Sequence, residues 1–236
     1  MWQIIKNEWV YLSRNKLLLS ISLGFILVLL VAVGLGNRQT EKQTQRYELA
    51  QKELRRQWEN IDAMNPHGAA HNGTYVFKPA GLLSSLDEGV NSVTGKVLRV
   101  EGQVQNEIVY SEASQMQSAS KFGKLRTALL LQYILPLLLL FLAFHSVSSE
   151  KQSGRLKLLI LQGAKPSTLV WAKTLSVWLY GMLLLSSTML IYLLLNRTSL
   201  SAEVINRSLW LYLSYGLYYF IISSLTVLFS ARWQIA

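Results

Sequence analysis

The stretch 127-TALLLQYILPLLLLFLAFHSVSS-149 decides the fold. It carries no Lys, Arg, Asp or Glu, and it is longer than the ~20 helical residues that cross a hydrocarbon core of about 30 Å. Its nine Leu, one Ile and two Phe contribute about −6 kcal/mol towards insertion at −0.5 kcal/mol each, enough to offset Gln132 and His145. Three further runs, Leu17 to Gly36, Thr174 to Asn196 and Ser208 to Ala231, are equally free of charge. The fold class that follows is an all-α integral membrane protein with at least four transmembrane helices. Its 236 residues, 51% hydrophobic with a net charge of +10, therefore do not make one or two soluble domains. Anionic lipid headgroups account for the basic excess. No surface interleaves basic and aromatic residues as a nucleic-acid partner would need. The absence of cysteine excludes disulfides, thiolate nucleophiles and Cys-bound metal.

Working outward, orientation follows from Lys and Arg in the short loops. Lys6, Arg14 and Lys16 precede span one. Lys151, Arg155, Lys157, Lys165 and Lys173 follow span two, and Arg232 follows span four. The segment between spans three and four holds fewer. The N-terminus is thus expected in the cytoplasm and residues 37–126 outside. Residues 1–16 place Trp2, Ile5, Trp9 and Leu12 at helical spacing, the pattern of an N-terminal interfacial helix. The chain then divides into span one at 17–36, an extracytoplasmic stalk and tip at 37–126 and span two at 127–148. A cytoplasmic helix at 149–165 leads to span three at 166–196, an outer loop at 197–207, span four at 208–231 and a cytoplasmic end at 232–236.

The extracytoplasmic segment reads as a helical stalk with a small mixed tip. From Arg38 to Asp62 there is neither Gly nor Pro, and Tyr47, Ala50, Leu54, Trp58 and Ile61 follow a near-heptad spacing. A second run from Val104 to Ala119 forms the returning helix of the stalk. Residues 63–103, with Pro66, Pro79 and six Gly, form turns and a small hairpin that includes Lys96–Val100.

The inner loop 148-SSEKQSGRLKLLILQGAKPSTL-169 is more elaborate than a connection needs. Ser148 or Ser149 is expected to cap a helix with Glu150 in its first turn. Leu156, Leu159 and Ile160 give it an apolar face, Arg155 and Lys157 snorkel away from it, Gly163 stops it and Pro166 starts the next helix. Such a helix either carries force between a cytoplasmic partner and the flanking spans or simply lies in the interface.

The pattern Glu150-x-x-x-Gly154-x-Leu156-x-Leu158-Leu159, with Pro166-Ser167 and Lys173 beyond it, resembles the coupling-helix region of ATP-binding-cassette exporter permeases of the second class. Lys6-x-Glu8 ahead of span one resembles their amphipathic N-terminal helix. Residues 65-NPHGAAHNGTYVFKP-79 and 86-LDEGVNSVTGKVLRVEGQVQN-106 resemble a sub-family with a large extracytoplasmic insert after the first span. The resemblance covers nearly the whole chain, in order and topology more than in individual residues. It implies a permease subunit in a bacterial cytoplasmic membrane that moves substrate while a separate ATP-binding-cassette ATPase subunit binds ATP and Mg. It also implies a second permease chain as dimer partner, and Glu150, Gly154, Arg155, Leu156, Leu159 and Pro166 as the ATPase-coupling residues. The extracytoplasmic insert would meet cargo or an outer partner. Such permeases usually have six spans, whereas this sequence stops at 230-SARWQIA-236; either two spans follow or a partner supplies them, and the abrupt ending favours the first. No cofactor is expected in this chain. Its nearest approach to a phosphate loop, 89-GVNSVTGKV-97, has its first Gly one residue too early and Val97 where Ser or Thr should hold Mg. The rival reading is a non-transporting sensor or assembly scaffold that binds through the extracytoplasmic segment.

Three further groups stand out. Tyr212, Tyr215 and Tyr219 share one face of span four and line either a substrate path at the dimer interface or a packed contact. Pro136 should kink span two, with Gln132 one turn earlier bonding a freed carbonyl or a neighbouring helix, as a gating hinge or as static packing. His67 and His71, four apart after Asn65 and Pro66, are weak metal candidates with Glu59, Asp62 or Glu101 as a third ligand. The plain alternative is a capped, solvated turn, and no metal is favoured.

Overall fold

The computed structural model describes residues 1–81, 83–91, 95–102 and 126–232. Four helices in it are long and apolar enough to cross a membrane. Two compact units make up the chain, one of Met1–Val31 with Leu129–Ala236, the other of Ala32–Ala128.

α1 (Trp2–Arg14) ends one residue before α2 (Lys16–Glu59) begins, and α2 belongs to the first unit up to Val31 and to the second from Ala32. The break falls at Asn15, whose side-chain oxygen accepts from the backbone N–H groups of Leu17 and Leu18 and so caps α2. α2 runs on through Gly34 and Gly36 to Glu59, so the residues expected as span one and as the first stalk helix fall in one helix. Without a proline or a capping signal after Gly36, nothing stops propagation.

Span two is one rod, α4 when α3 of the second unit is counted. It starts with Thr127–Leu129, passes through a π-helical turn at Leu130–Ile134 and continues as Leu135–Gln152. Then come α5 (Arg155–Leu161), α6 (Pro166–Leu195) and α7 (Ala202–Arg232). α7 packs on both α6 and α4, and α1 packs on α6. The buried centre includes Leu131, Leu135, Leu139, Leu184, Leu185 and Val227.

α7 carries its polar residues inward and its apolar ones outward. Ser208, Tyr215, Tyr219, Ser223, Thr226 and Ser230 are buried, while Leu209, Leu213, Leu217, Ile221, Leu225 and Leu228 face out. In lipid this is the favourable arrangement. Leucine gains nothing by leaving hydrocarbon for a protein interior, whereas Tyr215, Tyr219, Thr226 and Ser230 make hydrogen bonds there that lipid tails do not offer; Ser208 and Ser223 have no such partner among the described residues. α7 also begins six residues ahead of the expected span four, because the Ser201 hydroxyl accepts from Val204 N–H and Glu203 pairs with Arg207 one turn on. The connection between α6 and α7 is correspondingly shorter than the expected residues 197–207.

In the second unit, Asn65 caps α3 (Pro66–His71) by accepting from Gly68 N–H, with Pro66 at its first position. β1 (Thr74–Phe77) pairs antiparallel with β2 (Val97–Val100), in the register Thr74 to Val100 through Phe77 to Val97. Lys96 closes the far end through Glu88 at 3.0 Å and Gln43 at 3.2 Å, and Tyr47 stacks on Phe77 at 5.1 Å. The two strands are thus joined by a long connection rather than a tight hairpin turn. The returning stalk helix expected at Val104–Ala119 lies outside the described residues.

Candidate functional site

The turn between α4 and α6 is bounded by two glycines in the left-handed region, Gly154 at φ +72° and Gly163 at φ +88°, where other L-residues are strained. α5 ends in a paired turn, with Gly163 N–H donating to Ile160 and Ala164 N–H to Leu159. Pro166 opens α6 with its fixed φ and no N–H to lose. The start of α5 differs from the sequence expectation. Ser148, Ser149 and Glu150 lie within α4 and none stands at the start of α5, because no residue before Gly154 can take the left-handed turn. α5 is therefore a seven-residue rod rather than one beginning at Ser149. Leu156 and Leu159 are half-buried, while Leu158, Ile160 and Leu161 are exposed, Leu161 to 83%. Arg155 and Lys157 beside them are exposed as well.

Glu150 instead belongs to an ionic node. Lys173, two turns into α6 and only 2% exposed, places Nζ 2.8 Å from Glu8 of α1 and 3.1 Å from Glu150 of α4. A buried ammonium is costly unless paired and hydrogen-bonded, and here two carboxylates from two other helices answer it. The neighbouring Lys151 turns the other way, and its ammonium donates to the carbonyls of Ser230 and Ala231 at the end of α7. That suits the partial negative charge of a helix C-terminus. Adjacent residues at the end of α4 thus tie it to α1, α6 and α7. The Ile5, Trp9 and Leu12 side of α1 is turned from solvent, whereas Trp2 is exposed.

A second cluster surrounds Pro136. Proline has no N–H, so the Gln132 carbonyl four residues earlier loses its helical donor. In the π-helical turn Leu135 N–H donates to Leu130, which leaves the Leu131 carbonyl without a donor too, since its π-register partner is again Pro136. Both oxygens are satisfied from α7. Tyr218 donates to the Gln132 carbonyl at 3.0 Å and Tyr219 to the Leu131 carbonyl at 2.9 Å. Gln132 Nε2 donates to the Tyr215 hydroxyl at 3.2 Å. Tyr219 is fully buried and Tyr215 nearly so, so both are turned into the chain's own packing. Tyr212 shares a hydrogen bond with Ser186.

In the second unit, the rings of His67 and His71 meet edge to face at 4.8 Å, and His71 Nδ1 is 3.9 Å from Glu101. Glu101 also faces Arg99 at 3.1 Å. Among the described residues no group of three His, Cys, Asp or Glu is placed to hold a metal.

Sequence reasoning missed Tyr218 as the partner of the proline break and Lys173 as the centre of the node. A signal existed for each: a tyrosine beside Tyr219, and a lysine seven residues inside an otherwise uncharged helix. A family model described as ABC-2 family transporter protein matches residues 2–233. No curated protein and no solved structure matches the chain.

Proposed function

The chain belongs to the ABC-2 transporter family, and from that premise we propose that it is the membrane permease subunit of an ATP-driven exporter. ATP is bound and hydrolysed, with Mg, on a separate ATPase subunit, which docks on α5. The observation that carries this reading is α5 itself. A short rod held between Gly154 and Gly163 offers Leu158 and Leu161 to solvent with Arg155 and Lys157 beside them. Exposed leucines ringed by cations suit a protein partner with an apolar cleft and an acidic rim.

On this reading α5 faces the cytoplasm, as the Lys and Arg distribution requires. Closure of the ATPase pair pushes α5, and the stiff turns pass the displacement to α4 and α6. Two permease chains form the transporter, with the path between them, and residues 37–126 stand outside. The four charge-free runs contain no Asp or Glu to mark an ion path, which favours amphipathic cargo over small ions.

The test is to tag the chain, extract it gently and identify what co-purifies. A stoichiometric phosphate-loop ATPase, lost in Leu158→Asp/Leu161→Asp and in Gly154→Pro at normal expression, supports the reading. A chain recovered with outer partners only would replace it with the sensor or scaffold.

A further inference from the structure

We infer that the Glu8–Lys173–Glu150 node is a two-position latch in which Glu150 is the releasable arm. α1 and α6 then move together, and the α4–α5 end swings against them. The inference rests on the coupling role proposed for α5.

Three features of the node assign these roles. The first is charge: two part-buried carboxylates share one buried ammonium, so one carboxylate can leave and a balanced pair remains. The second is asymmetry. Lys173 is 2.8 Å from Glu8, with a hydrogen bond, and 3.1 Å from Glu150. The other oxygen of Glu150 is buried without a hydrogen-bond partner among the described residues, an unfavourable position that release to water relieves. The third is connection. Both α1 and α4 pack on α6, but only Glu150 is joined to α5 by a few residues of chain, standing four residues before Gly154, whose left-handed turn begins α5.

Held, the node binds α1, α4 and α6 together. Released, Glu8 and Lys173 remain a neutral pair and Glu150 is hydrated. The two states differ by one ion pair gained against one carboxylate desolvated, terms of similar size and opposite sign. A push on α5 can therefore select between them.

Two isosteric substitutions should move this equilibrium in opposite directions. Glu150→Gln removes the charge that Lys173 attracts to α4 and favours the released position. Glu8→Gln leaves Glu150 as the only carboxylate on Lys173 among the described residues and favours the held position. The chain has no cysteine, so Ser13→Cys on α1 and Gln162→Cys at the end of α5 take spin labels without background from the chain itself. The parent and both variants are measured by double electron–electron resonance, as full chains in lipid nanodiscs with the co-purifying ATPase, without nucleotide and with ATP and Mg.

Without nucleotide, the distance distribution of Glu150→Gln should shift to the population that ATP enriches in the parent. That of Glu8→Gln should stay in the parent's nucleotide-free population even with ATP. Identical distributions, or shifts of the same sign, overturn the latch, since a merely structural pair would loosen alike when either carboxylate is lost. If one variant fails to fold, the other still carries a signed expectation. A parent that ignores ATP sinks the coupling role of α5, while a Glu150→Gln distribution that departs, without nucleotide, from the one shared by the parent and Glu8→Gln still establishes the latch.

Discussion

Pro136 and Tyr219 should be energetically coupled, in a way that only the carbonyl arrangement explains. Tyr219→Phe removes one hydroxyl and little volume, so packing around Leu131 is kept. What is lost is the donor to the Leu131 carbonyl at 2.9 Å, in a span where water cannot replace it. A buried acceptor left without a partner costs about 1–3 kcal/mol, and interhelical hydrogen bonds in membrane proteins measure about 0.6–1.7 kcal/mol. The expected loss is therefore ~1 kcal/mol. Pro136→Ala restores the missing N–H and lets the π-helical turn relax. The restored N–H then serves the Gln132 carbonyl, and Leu135 N–H returns to Leu131. Since proline in a helix interior is disfavoured by about 3 kcal/mol, this variant should be the more stable one. On the Pro136→Ala background Tyr219→Phe should cost less than about 0.5 kcal/mol, because the oxygen it served has regained a backbone donor. The assay is a double-mutant cycle by SDS titration in mixed micelles, read by the fluorescence of the seven tryptophans. Additivity within ~0.3 kcal/mol, the behaviour of independent sites, would refute the argument and reduce the tyrosines to ordinary packing.

Further substitutions probe the other elements. Lys173→Met removes the ammonium that the part-buried Glu8 and Glu150 share and should cost about 3 kcal/mol, the lower end for breaking a buried pair, seen as loss of folded chain by size-exclusion chromatography in detergent. Gly154→Ala forces a side chain into φ +72°, at about 1–2 kcal/mol. Its SDS midpoint should fall, and co-purification of the ATPase should weaken without the complete loss expected of Gly154→Pro. Asn65→Ala removes the acceptor for Gly68 N–H and should cost about 1 kcal/mol locally. Faster proteolysis between Asn65 and Gly73, with the SDS midpoint of the spans unchanged, is the expected result.

Four spanning helices were legible from the charge-free runs alone. Gly163 as a stop and Pro166 as a start were legible too, because the φ of each is a property of the residue and its neighbours. Tertiary structure decided the rest. α4 runs to Gln152 and not to Ser148, since its end is set where Gly154 takes the left-handed turn and where Glu150 meets Lys173. The partners of Lys173 could not be read from the chain, as Glu8 lies 165 residues away in sequence. Tyr215 and Tyr219 share a helical face in sequence, but their hydroxyls turn inward, Tyr219 to an oxygen that Pro136 frees on another helix and Tyr215 to Gln132 beside it. The physical reason is common to these cases. Hydrophobic length and backbone preference are local, and the bilayer makes them decisive. Inside the bundle, buried polar groups pair with whatever the packing brings within about 3 Å, and sequence distance carries no record of that.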